Sequence, residues 1–167
     1  MRKIGLDGGH TVYELGPVSD VVLFFGCLNA FVVSQYPEND WSLLTDRLYK
    51  RYLRQDDLEQ AFALMERAKG IFLMLPRTTV EWDESLQGNR EITWLDSKQD
   101  TLGTIFSRYF DLFSKAQGSA ISFFGEFGIY QPVRILISDM PSFIFERKRP
   151  LSEYDELSLN DLPFWLR

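Results

Sequence analysis

Between residues 56 and 72 the apolar positions Leu58, Ala61, Phe62, Met65, Ala68 and Phe72 recur three and four apart, forming one stripe along an amphipathic helix. Asp56 opens that stretch with Glu59 three residues on, the spacing of a capping box, and Pro76 stops whatever follows. Ile71 to Leu75 reads either as the last turn of this helix or as a strand. A shorter helix is predicted from Trp41 to Leu53: Asp40 is placed to cap it and Leu44, Leu48 and Tyr52 repeat at spacing four. A third begins after Asp100, where Leu102, Ile105, Phe106, Tyr109, Phe110 and Phe113 make a face that is nearly all aromatic, and Gly118 is expected to end it.

Strand signals surround these helices. Arg2 to Leu6 and Thr11 to Leu15 flank Asp7, Gly8 and Gly9, a turn sequence that supplies the positive φ angles of a hairpin. Pro17 with Ser19 or Asp20 opens a helix over Asp20 to Leu28, leading to a strand near Ala30 to Ser34. Ala120 to Phe124, Val133 to Ile137 and Phe143 to Phe145 read as further strands, the second rich in β-branched residues. Arg77 to Lys98 is polar and irregular, a long loop or loose hairpin. The apolar tail Pro163, Phe164 and Trp165 is expected to dock. Helices and strands are interspersed without a regular β-α-β cycle, which predicts an α+β fold: residues 1–167 as one mixed domain, a sheet packed against about three to four helices.

Composition narrows the function. The 14 phenylalanines among 167 residues supply a large apolar core. With 24 acids against 18 bases the formal charge is -6, which repels a phosphate backbone and suits a basic protein partner. No direct nucleic-acid binding is therefore expected. Val21 to Val33 is interrupted by Gly26, Cys27 and Asn29 and falls short of a bilayer span, and Met1 to His10 lacks the apolar run of a secretory signal. The lone Cys27 can form no internal disulfide. These features predict a cytoplasmic protein with no membrane association.

Little in the chain suggests catalysis. His10 and Cys27 are single examples of their kinds, and the calcium-loop and paired zinc-ligand patterns are missing, so neither a metal nor a cofactor is expected. The glycines around Asp7 to His10 lack the Lys-Ser or Lys-Thr pair of a phosphate loop. Asp7 with His10 and a distant carboxylate is the one arrangement on which a small hydrolase can be built. The adjacent acids Asp83 and Glu84, or Asp155 and Glu156, read as solvated runs before glycosidase pairs. From Val80 to Asp100 six acids face two bases with Trp82 and Trp94 embedded, a combination that suits an interaction surface.

Phe24, Phe25 and Gly26 ahead of Asn29 and Phe31, the acidic Trp82 and Asp83 segment, and the aromatic tail Pro163, Phe164 and Trp165 carry a resemblance. In these and in size and acidity the chain resembles the immunity proteins of bacterial contact-dependent growth inhibition and polymorphic toxin systems, the CdiI type. The resemblance implies a protein without enzyme activity that binds one cognate toxin C-terminal domain, commonly a basic nuclease, and blocks its active or substrate-binding site. Two surfaces are candidates for that contact: Glu81 to Asp100, with Glu81, Trp82, Asp83, Glu84, Trp94 and Asp96, and Glu153 to Asp161, with Glu153, Tyr154, Asp155 and Glu156. A regulatory protein-interaction domain is the remaining alternative to the inhibitor and the hydrolase.

Overall fold

The computed structural model describes residues 2–82, 93–158 and 161–167. Strands β1 (Lys3–Asp7) and β2 (Val12–Pro17) form the antiparallel hairpin expected from Asp7, Gly8 and Gly9. β3 (Arg134–Ile137) pairs antiparallel with the other edge of β1, giving the order β2-β1-β3 among the described residues. Strand alternation separates the two faces of this sheet. Ile4, Leu6, Ile135 and Ile137 point into the main core, while Asp7 stands opposite Arg134 on the reverse face.

The core face is covered by α1 (Val18–Leu28), α2 (Leu58–Leu73), a short α3 (Leu102–Ile105) and the long α4 (Ser107–Phe127). Their stripes meet at Phe24, whose ring packs against those of Phe25, Phe72, Phe106, Tyr109 and Phe110 at centroid distances of 4.8 to 5.8 Å. The reverse face is covered by α5 (Ser142–Lys148), with α6 (Leu151–Asp155) following it. The fold is thus α+β, as the interspersed elements predict. The apolar tail docks: Trp165 is buried and its indole N–H donates to the Tyr49 carbonyl at 3.0 Å.

Several local expectations are corrected. Ala30 to Ser34 is not a strand, because the chain leaves α1 without a break and continues in a wider helical turn, with Ser34 N–H bonding back to the Asn29 carbonyl at 3.2 Å. The helix predicted at Trp41 likewise runs mainly as wide turns over Leu43–Leu48, although Leu44, Leu48 and Tyr52 are buried as the spacing requires. At the start of α2 it is Asp57, not Asp56, whose carboxylate accepts a backbone N–H, that of Arg54 at 3.1 Å. Thr101 rather than Asp100 caps α3, accepting from Thr104 N–H at 3.2 Å.

Ala120 to Phe124 and Phe143 to Phe145 are helical rather than extended. Gly118 does not end α4: the helix continues to Phe127 and stops at Gly128, whose φ of 66° is the left-handed conformation that glycine adopts freely. No described helix is long and apolar enough to cross a membrane.

Candidate functional site

Several described residues of the two acidic segments nominated by sequence are engaged within the chain. At the start of the first, the Trp82 indole donates to the Arg77 carbonyl at 2.7 Å and its ring lies against Phe106. At its far side, Asp20 at the start of α1 accepts from Thr93 Oγ1 at 2.9 Å and from Trp94 N–H at 2.8 Å. The Trp94 ring lies on Gly16, where φ is 132° and an added Cβ would sit 3.2 Å from ring carbon Cε3. Lys3 and Arg108 flank that ring at 5.7 and 5.3 Å, within cation–π range. Both tryptophans therefore act as anchors for this stretch. Asp96 closes a local turn, and bonds from the Gln99 side chain and then the Lys98 N–H hold its carboxyl below the usual carboxylate range. Glu81 is exposed, while Asp83 and Glu84 lie outside the described residues.

The second segment is more committed still. Glu153 pairs with Arg149 at 2.6 Å, and Arg149 also reaches Glu146 at 3.2 Å while stacking on Phe145 and Phe164. Tyr154 is 1% exposed, so a partner cannot touch it without opening the fold; its hydroxyl donates to Glu146 and burial raises its pKa. Asp155 accepts from the Tyr52 hydroxyl at 2.8 Å and lies near Arg47 and Arg54. Glu156 is exposed at the end of α6.

Asp7 and His10 are not brought together. Asp7 is buried and turned to Arg147 at 3.2 Å and Arg134 at 3.6 Å, whereas the His10 ring sits outside on Phe123 and Phe127, with Nε2 3.6 Å from Glu126. Among the described residues no group of three or more His, Cys, Asp or Glu side chains is arranged to hold a metal ion.

Sequence reasoning missed a different surface. The last buried residue of α4 is Ala120, and none of the described residues 121–127 is buried. Over this overhang and the turn beyond it, Ile121, Phe127, Ile129 and Tyr130 are each about half exposed or more, with Phe124 half-buried beneath Tyr130 in a parallel stack at 4.3 Å. At its root lies a cleft of about 350 Å³ between Tyr130 and Gln131 on one side and Tyr52, Arg54, Gln55 and Asp56 on the other. The signal that could have found it is the spacing of Phe124 and Phe127 from Ala120, which continues the helical repeat past Gly118.

Comparison with protein-family models, with curated proteins and with solved structures finds no match to this chain.

Proposed function

We propose that this chain is an immunity-type inhibitor, which binds one cognate toxin C-terminal domain in the cytoplasm, blocks its active or substrate-binding site, and performs no reaction itself. The observation that carries the reading is the apolar end of α4, where Ile121, Phe127, Ile129 and Tyr130 face solvent on a protein of formal charge -6. Apolar side chains clustered at a projecting helix end mark a protein contact, since solvent exposure gives them no stabilising role in the free chain. Aromatic anchors of this kind supply most of the affinity at an interface, while opposite charge accelerates encounter and selects the partner. A nuclease toxin with a basic substrate cleft matches both requirements.

The test is co-expression with the toxin domain encoded immediately upstream, in a sensitive cell, scored by growth and by co-purification. Protection together with a one-to-one complex is expected. Phe127→Ser combined with Ile129→Ser should weaken the complex by about 30-fold or more, corresponding to about 2 kcal/mol at a central anchor. Glu153→Gln, on the internally paired segment, should retain protection. Absence of both complex and protection would sink the reading.

A further inference from the structure

We infer that the cleft at the root of the α4 overhang receives an arginine side chain from the protein partner, an inference that rests on the inhibitor reading and assigns one of its contacts. The charge around the cleft favours a cation. Arg54 is already balanced: it bonds the Tyr52 hydroxyl at 3.4 Å and lies 3.6 Å from Asp155, with Asp57 adding to the attraction. Asp56 lines the same cleft, is exposed, and has no ion pair or hydrogen bond among the described residues. Of the two charged residues that line the cleft, Arg54 is thus committed to Tyr52 and Asp155, and the Asp56 carboxylate is the one left without a counter-charge. An anionic ligand would meet that carboxylate, with only an already committed arginine to receive it.

Shape and hydrogen bonding select arginine among cations. Gln55, which lines the cleft, carries a side-chain oxygen that is shielded from water and has no hydrogen-bond partner, an acceptor for an entering N–H once the amide turns toward the cleft. Tyr130 is 63% exposed and backed by Phe124 on one face, which leaves the other face open to a flat cation. A guanidinium on a tyrosine is already present here, since Arg54 lies 5.8 Å over the Tyr52 ring. Pro132 and Leu151 add apolar lining for an aliphatic stem. The planar guanidinium stacks on such rings and donates to several acceptors at once, whereas a lysine ammonium is a compact, strongly hydrated charge. A volume of about 350 Å³ is at the lower end of ligand pockets and accommodates one long side chain.

The experiment is an amide NMR titration of the whole 15N-labelled chain with N-acetyl-arginine N-methylamide, and in parallel with its citrulline counterpart, which keeps the shape and removes the charge. Saturable shifts at the Gln55 side-chain amide and at Asp56, Tyr130 and Gln131 are expected with the arginine compound alone. Asp56→Asn should weaken that binding roughly five- to ten-fold, the range for loss of one charge-assisted contact, and Tyr130→Ala should weaken it comparably. Both side chains are exposed, and the spectra themselves report whether each variant is folded.

Equal response to citrulline, shifts located elsewhere, no shift in the cleft, or unchanged affinity in a folded Asp56→Asn chain would each overturn the inference. Toxin protection without arginine binding sinks only this contact. Arginine binding without protection sinks the inhibitor reading and leaves the cleft assignment standing.

Discussion

Asp7 illustrates how a residue with an obvious local role acquires a distant one. Its place before Gly8 and Gly9 announces a turn, and its carboxylate does accept the Gly9 N–H at 3.1 Å. It also faces Arg134 across the sheet and binds Arg147, so it holds β1, β3 and α5 together. No local pattern reveals those partners, which lie more than 120 residues away. Asp7→Ala would leave the 5% exposed Arg134 without its carboxylate, and a loss of about 3 kcal/mol or more is expected in urea unfolding. A drop below about 1 kcal/mol would show that the two arginines find other partners.

Cys27 makes a second residue-scale prediction. Burial raises its thiol pKa from 9.0 to about 11. At neutral pH the thiolate fraction therefore falls about 100-fold, and labelling by iodoacetamide should become correspondingly slow until denaturant is added. Because the folded pKa is the higher one, the associated stability is fully present below pH 9.0 and is lost as pH rises toward 11. Cys27→Ala should flatten the unfolding midpoint across that alkaline window, against a lower baseline from lost packing.

At the scale of elements, two glycines of α4 should respond to the same substitution with opposite sign. Gly118 is exposed within the helix and an added Cβ would meet nothing within 4 Å, so Gly118→Ala should stabilise by about 0.5–1 kcal/mol. At Gly128, with φ at 66°, Gly128→Ala should destabilise by about 1 kcal/mol. Chemical denaturation of the two variants measures both. Taking Gly118 as a helix end made Ala120 to Phe124 read as a strand and concealed the overhang. Over three to five mostly apolar residues the periods of two and of 3.6 are hardly separable, which also explains the misreading of Ala30 to Ser34 and Phe143 to Phe145. The hairpin, α2 and β3 were legible because each carries a second signal: a glycine turn, a stripe running several turns, and β-branched residues. Pairing is equally hidden: charge along the sequence does not show which carboxylates already have partners, and Glu153 is paired with Arg149 four residues before it.

For the molecule as a whole, the excess of 24 acids over 18 bases bears on the rate of encounter more than on the fold. Association with a basic partner should slow as salt rises toward 0.15 M, where the Debye length is about 8 Å. Neutralising Glu81, Asp83 and Glu84 together should reduce both the rate at low salt and its dependence on salt in stopped-flow measurements. An unchanged rate would remove that stretch from the steering field.

The placement of the indoles has a spectroscopic consequence. Trp41 and Trp165 are 3% and 2% exposed, whereas Trp94 is 37% exposed on its glycine bed and Trp82 is half-buried. Acrylamide should therefore resolve a protected and an accessible class of emission from the folded chain. Ligands docking beside the polar stretch would dim or shift only the accessible class, while loss of the core would unmask the other, so the native protein contains separate optical reporters for occupancy and for unfolding.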